Sequence, residues 1–343
     1  NKTHKTYYQL FKNKNIMKKS FFLSILAVGA LVACSKSEVV DTKFDQAIGF
    51  ETYLGRAAQT KAAVATNFTT AGIYGFYTAG EEYDAESVAN LWVNDPLAWA
   101  GTVSPAKYWT NATDKYTFLA YAPKDAAGVV VPTEGEVVDP TVTYTVNGTL
   151  ANQIDLLYAN AINVKKPAEN GKVDMTFKHA LSRLTVKASA AADQAFEFRV
   201  KDIAIAGNFV TTDVFNLAAG TWAADGAQAT TATTYSFYSV ADNETALTTT
   251  ATDYAGSDNY LMMIPTTFTE TAAATLTVQY TTFYEGTEST VNTVEVPVTT
   301  DFEQGKAYSI NLVFSKDTDA IEFNVTVEPW DETPESQDEN IEA

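Results

Sequence analysis

At roughly 150 residues to a domain, a chain of 343 residues has room for two globular domains beyond any leader. Its 42 Asp and Glu against 23 Lys and Arg give a net charge of −19, which excludes a nucleic-acid backbone or an anionic lipid surface as the partner. One Cys and two His exclude a four-cysteine or Cys2His2 zinc site, a disulfide framework and a Cys/His nucleophile pair, while 46% hydrophobic residues supply real cores.

The first 33 residues differ in kind from the rest. They hold six lysines and no acid, so removing them takes the net charge to −25. Met17 is followed by Lys18-Lys19, an apolar run from Phe21 to Val32, and then Ala33-Cys34, the order of a secretory signal peptide. That run of 12 residues is short of the roughly 20 a spanning helix needs. Met17 opens a complete signal by itself, so residues 1–16 are expected to be upstream translation or a misplaced start. Leu31-Val32-Ala33-Cys34 resembles the lipobox of bacterial lipoproteins, and the chain's single Cys falls where a lipobox requires it. Acyl chains on Cys34, each buried CH2 adding about 0.8 kcal/mol, are expected to hold the exported protein on a membrane.

Beyond the leader, short runs rich in Val, Ile, Tyr, Phe and Thr recur between Gly, Pro, Asn and Asp, which is the punctuation of strands. In chain order the clearest are Gly72–Tyr77, Lys115–Tyr121, Thr141–Val146, Asp155–Ala159, Val173–Phe177, Leu181–Ala188 and Phe196–Ile205. Thr234–Val240, Tyr260–Ile264, Ala274–Tyr284, Thr293–Val298, Ala307–Phe314 and Ile321–Val327 follow. Strands without intervening helices indicate an all-β chain of antiparallel sandwiches. The Ala-rich stretch 188–195 is the best boundary, giving sandwiches at 57–189 and 190–330 behind a segment 34–56. Period-two alternation is clearest at the two ends, in Ile48, Phe50, Thr52 and Leu54 and in Ile321, Phe323, Val325 and Val327. Asp331–Ala343 carries six acids and no base, and is expected to be a solvated tail.

Tyr108-Trp109, the run from Tyr116 to Pro123, Asp155–Ala159, Phe177–Val186, Leu261–Pro265, Phe302–Ile310 and Val325–Trp330, in this order and behind a lipobox, carry a resemblance. The chain resembles the fimbrillin (Mfa-like, type V pilin) lipoproteins of Bacteroidales. The resemblance implies two tandem Greek-key, transthyretin-like β-sandwiches and a surface fimbria built by strand exchange. A trypsin-like protease then cuts after an Arg, removes the first strand of the N-terminal domain, and leaves a groove that accepts a strand from a neighbour. The implied partners are other fimbrial subunits, the outer membrane through the lipid, and a host protein or glycan ligand.

Arginine occurs only at positions 56, 183 and 199, and the last two fall inside strand patterns. Arg56-Ala57 lies among small residues just past Leu54 and is the expected maturation site, an ordinary loop Arg being the other reading. Ile48, Phe50, Thr52 and Leu54 then belong to the displaced first strand. Ile321, Phe323, Val325 and Val327 have the matching period and are the expected donor, or else an ordinary closing strand. No further apolar strand follows Trp330, so a tip or accessory role is as open as a stalk role.

No metal site, cofactor or catalytic residue is expected. His179 reads as a satisfied structural His, Asp317 and Asp319 lack the Gly and bidentate Glu of a calcium loop, and no G-x-S-x-G, P-loop or dinucleotide fingerprint occurs. Trp92, Trp99 and Trp109 permit either core packing or a sugar-stacking platform, which would make the chain a lipid-anchored glycan-binding module instead.

Overall fold

Runs of β-branched and aromatic residues bounded by turn residues give strands. The computed structural model describes residues 46–54, 69–168, 170–192, 196–241, 245–254, 260–285, 287–315 and 321–330. Its first half holds β1 (Gly49–Leu54), β2 (Thr70–Ala79), β3 (Trp92–Ala98), β4 (Lys115–Ala122), β5 (Val129–Val130), β6 (Thr141–Thr145), β7 (Leu157–Val164), β8 (Lys172–His179) and β9 (Ser182–Ala190). There follow β10 (Phe196–Gly207), β11 (Thr212–Asn216), β12 (Thr221–Trp222), β13 (Thr233–Ser239), β14 (Thr252–Asp253), β15 (Leu261–Met263) and β16 (Thr266–Thr267). The last are β17 (Ala274–Tyr284), β18 (Thr287–Val298), β19 (Asp301–Phe302), β20 (Lys306–Phe314) and β21 (Ile321–Pro329).

The chain is all-β, and each strand run expected from the sequence is found in place. The strands form a six-stranded sheet β1-β8-β7-β4-β2-β3, two four-stranded sheets, β13-β10-β17-β18 and β12-β11-β6-β5, and a sheet β14-β9-β20-β21 with β15 also on β9. They stack as sandwich-like layers. In the six-stranded sheet both faces are covered, and β4 is buried at every position after Lys115. Tyr116, Phe118, Ala120 and Ala122 enter one cluster with Ile73, Trp92 and Phe177. Leu119 and Tyr121 point the other way, into a larger cluster that continues through the remaining sheets. Period-two geometry under two covers explains why such a strand reads as a continuous apolar run instead of an alternation.

Sheet membership crosses position 189. β9 pairs with β14, β15 and β20, all later in the chain, and β6 pairs with β11. Among the described residues no helix is long and apolar enough to cross a membrane.

Prolines inside strands occur at Pro96 in β3, Pro297 in β18 and Pro329 in β21, each the terminal strand of its sheet. A residue without an N–H costs a sheet nothing on its solvent side and blunts that edge against further pairing.

Burial also sets the alkaline limit of the fold. Desolvation pushes the Tyr121 and Tyr83 phenols up to about 12, and raises Tyr74 and Tyr144 as well. The unfolded chain ionises these groups near pH 10, so the fold holds more protons than the unfolded chain between about 10 and 12. Stability from them is complete below pH 10 and falls as pH rises toward 12. Thermal melts should therefore hold a constant midpoint from these groups up to pH 9.5 and drop steeply above it. A phenolate absorbance rise that reaches completion, with every tyrosine ionised, before far-ultraviolet circular dichroism is lost would contradict this assignment.

Candidate functional site: the enclosure of the first strand

β1 is the terminal strand of its sheet, yet both of its sides are hydrogen bonded. On one side it runs parallel to β8, Gly49 opposite Lys172 through Leu54 opposite Phe177. On the other, the segment 99–109 folds over it as a strap. Ile48 N–H donates to the Lys107 carbonyl at 2.8 Å and Phe50 N–H to the Gly101 carbonyl at 2.9 Å. Trp109 N–H in turn donates to the Gln46 carbonyl at 3.2 Å. Gln46 is tied to the other flank through its Nε2, which donates to the Asn170 carbonyl at 2.7 Å.

The inward face of β1 is enclosed. Phe50 is 0% exposed, with its ring edge-on to Trp92 at 6.0 Å and to Phe118 at 5.1 Å. Ile48 and Thr52 are buried and Leu54 packs partly buried against the same cluster. Thr52 is the one polar group on this face, and its hydroxyl donates to the Trp99 carbonyl at 2.6 Å. Outward, Glu51 accepts from Tyr53 OH at 2.6 Å, a bond that holds the Tyr53 phenol up at about 12, and Lys172 Nζ lies 3.4 Å from the Glu51 carboxylate.

Gly101 makes the strap's close approach possible. Its φ is +84°, and a Cβ there would lie 1.9 Å from the Phe50 carbonyl oxygen, so only glycine fits both the backbone and the space.

β8 depends on this strand in turn. It pairs with β1 along Lys172–Phe177 but with β7 only at Lys178 and His179. His179 is buried, its Nδ1 is 2.7 Å from Asp155 Oδ2, and its ring stacks on Trp330 at 4.0 Å and 3°. The guanidinium of Arg183 lies over the rings of Tyr260 and Trp330, at 4.4 and 5.2 Å. His179 is thus a packed and paired group that seats the residue following β21.

β21 is the terminal strand of its own sheet and pairs antiparallel with β20, Ile321 opposite Phe314 through Pro329 opposite Lys306. Among its described side chains, Val325 is partly buried against the large cluster and Val327 is 53% exposed.

Of the two uses open to the tryptophans, packing is the one observed. Trp92 and Trp109 are each 1% exposed, and their indole N–H groups donate to the carbonyls of Pro105 at 2.9 Å and Gly171 at 3.0 Å. Trp99 is partly buried and lies against Phe177. The sugar-stacking platform is thereby corrected: the geometry of a buried wall leaves no stacking face on Trp92 or Trp109. Cys34, Arg56, Ala57, Asp317, Asp319 and the acidic tail lie outside the described residues. Among those described, no group of three or more His, Cys, Asp or Glu could hold a metal ion. The strap and the role of Gly101 are absent from the sequence reading. The only local signal is a Gly between Ala100 and Thr102, which marks a turn without saying what the turn approaches.

Stacked sheets with an enclosed first strand define an all-β, sandwich-like protein. The chain belongs to the fimbrillin-like family, whose model matches residues 56–330. It is accordingly a fimbrial-type subunit. Its fold resembles that of a fimbrial protein from Bacteroides vulgatus, at a TM-score of 0.67 and 15% identity over 82% of this chain and 99% of that one. The fimbrial anchor protein Mfa2 from Porphyromonas gingivalis aligns over 83% of this chain and 98% of its own at 14% identity, with a TM-score of 0.35 that is too low to bear on function. No curated protein sequence matches the chain.

Proposed function

We propose that this chain is a fimbrial subunit exported as a lipoprotein on Cys34, carried to the outer membrane, cut between Arg56 and Ala57, and joined to its neighbours by strand exchange into the place of β1. The β21 strand of a neighbour is the donor, and the assembled fimbria serves adhesion to a host protein or glycan. The division into sandwiches at 57–189 and 190–330 is part of the same reading.

The observation that carries it is the enclosure of β1. A strand hydrogen bonded on both sides with Ile48, Phe50 and Thr52 buried leaves, once removed, a slot with unpaired backbone on two walls and an apolar floor. Re-exposing the equivalent of Ile48 and Phe50 costs about 3–6 kcal/mol, so an emptied slot demands a replacement strand. The family match, which begins at residue 56, directly after this strand, is consistent with a separable β1. Arg183 and Arg199 are poor protease sites by comparison. Arg183 pairs with Ala307 on one side and Met262 on the other, and Arg199 with Thr281 and Ala246.

An Arg-specific protease should cut the folded protein once, after Arg56, and the product should then run as heat-sensitive, SDS-resistant ladders. Arg56→Gln should abolish both the cut and the ladders. A clean cut at Arg56 that leaves only monomer at high protein concentration would count against strand exchange.

A further inference from the structure

The last residue of β8 and the residue that follows β21 meet ring on ring. His179 ends β8, and its imidazole lies flat against the Trp330 indole, 4.0 Å between centroids and 3° between planes. We propose that β8 is a lever that couples the first strand to the end of the chain. While β1 is in place, β8 presents His179 as the seat of Trp330 and so keeps the end of β21 in its own sheet. When β1 is withdrawn, the seat loosens and that end of β21 loosens with it. The coupling is intramolecular, and only its use in assembly rests on the strand-exchange reading above.

β8 leans on β1 for most of its length. Lys172–Phe177 pair with β1, and β7 takes over only at Lys178 and His179. The buried side chains Val173, Met175 and Phe177 share their cluster with Ile48 and Phe50. At the start of β8 the Trp109 indole N–H holds the Gly171 carbonyl, but Trp109 belongs to the strap, whose backbone is itself bonded to Gln46 and Ile48. Loss of β1 therefore weakens every one of these holds together. Just past β8 the chain is fixed. Ala180 N–H donates to the Leu156 carbonyl at 2.8 Å, and the Trp222 indole N–H donates to the Ala180 carbonyl at 2.6 Å. A strand released along its length and pinned beyond its end turns about that pin, and His179 lies on the moving side.

Trp330 concentrates what holds the end of β21. Among the described residues β21 pairs only with β20, and Asn324, Thr326 and Val327 are exposed. Trp330 by contrast stacks on His179, lies under the Arg183 guanidinium at 5.2 Å, and donates its N–H to the Gly305 carbonyl at 3.1 Å. The ring plane of the seat is set by Asp155, whose Oδ2 is 2.7 Å from His179 Nδ1. Stacking of this kind depends on ring offset and tilt, so a small turn of His179 is enough to weaken it. An edge strand bonded on one side then opens locally at far less cost than the fold as a whole.

Coupling between two sites is reciprocal, and that reciprocity is the test. Amide hydrogen exchange is measured on the uncut full chain as parent, Gly101→Ala, Trp330→Ala and the double variant. Gly101→Ala, which loosens β1 and touches neither β8 nor Trp330, should speed exchange of the Trp330 amide and the β21 amides about 5- to 10-fold, with β10 and β17 unchanged. Trp330→Ala should speed the β8 amides of Lys172–Phe177 by the same factor. In the Trp330→Ala background, Gly101→Ala should add nothing further at β21. A merely structural Trp330 would give effects that add. A second measurement keeps every native side chain: the chain cut after Arg56 should show the faster Trp330 amide, and a peptide with the sequence of residues 46–54 should slow it again. If Trp330→Ala does not fold, the parent, Gly101→Ala and cut chains decide by themselves. A loosened β1 with a Trp330 amide as protected as in the parent, or additive effects in the double variant, overturns the coupling. Failure of the 46–54 peptide to bind the cut chain overturns the proposed function instead, and the uncut variants still decide the coupling.

Discussion

Phe50→Ala should cost the folded protein about 3–5 kcal/mol, the range for truncating a large buried aromatic where the surroundings cannot collapse. Collapse is unfavourable here because the walls are themselves fixed. Trp92 is held by its indole N–H on the Pro105 carbonyl, and Phe118 lies in the middle of the six-stranded sheet between β2 and β7. The cavity left between them stays open, and each ring facing it loses an edge contact. The loss should appear as a lower denaturant midpoint at an unchanged slope. Leu54→Ala, at the partly buried end of the same strand, should cost distinctly less. Equal losses at the two positions would mean that the strand is held by its backbone alone and that the Phe50 site has no special weight.

Much of this site was legible in the sequence, though unevenly. The period of β1 survives in Ile48, Phe50, Thr52 and Leu54 because one face is buried and the other carries Glu51 and Tyr53 at the surface. β20 is legible for the same reason. β3 is not. Trp92–Ala98 contains Asn94, Asp95 and Pro96 in succession, which reads as a turn, and it is a strand because a bulge between Ile73 and Gly75 and a left-handed Asn94 (φ 55°) absorb the irregularity. Short partners such as β11 and β12 have too few residues to show a period at all. What no local pattern could supply is the pairing itself. The parallel contact of β1 with β8 joins residues more than a hundred positions apart, and the placement of β9 beside β20 is equally non-local. A boundary read from the Ala-rich composition at 188–195 marks the end of β9 without revealing which sheet β9 joins. The buried tryptophans show the converse limit. Composition can propose a binding platform, but only the fold decides whether an indole faces water or a wall.

Gly101→Ala is expected to open the same enclosure from its other side. An added Cβ meets the Phe50 carbonyl oxygen at 1.9 Å, far inside contact distance and against backbone on both partners, so no rotamer can relieve it. The residue must also keep a φ of +84°, which costs a non-glycine residue about 1–3 kcal/mol by itself. Strap and strand have to part, and the bond from Phe50 N–H to the Gly101 carbonyl goes with them. Together these terms amount to about 2–4 kcal/mol, concentrated on β1 rather than spread over the fold. Local opening then needs far less energy than global unfolding, and hydrogen exchange should resolve the two. Amides of residues 48–54 should exchange about 30-fold faster or more, while those in β10 and β17 stay as protected as in the parent. Because β8 pairs with β7 only at Lys178 and His179, its amides opposite β1 should accelerate alongside. Gly80→Ala and Gly148→Ala, where an added Cβ meets nothing within 4 Å, serve as controls and should leave exchange at β1 and β8 unchanged. If Gly101→Ala speeds exchange throughout the molecule, or leaves β1 protected, the strap is not what holds the first strand in place. If it frees β1 selectively, the uncut variant should also capture a synthetic peptide with the sequence of residues 321–330, the donor strand proposed above, because proteolysis and this single methyl group would then reach the same open slot by different routes.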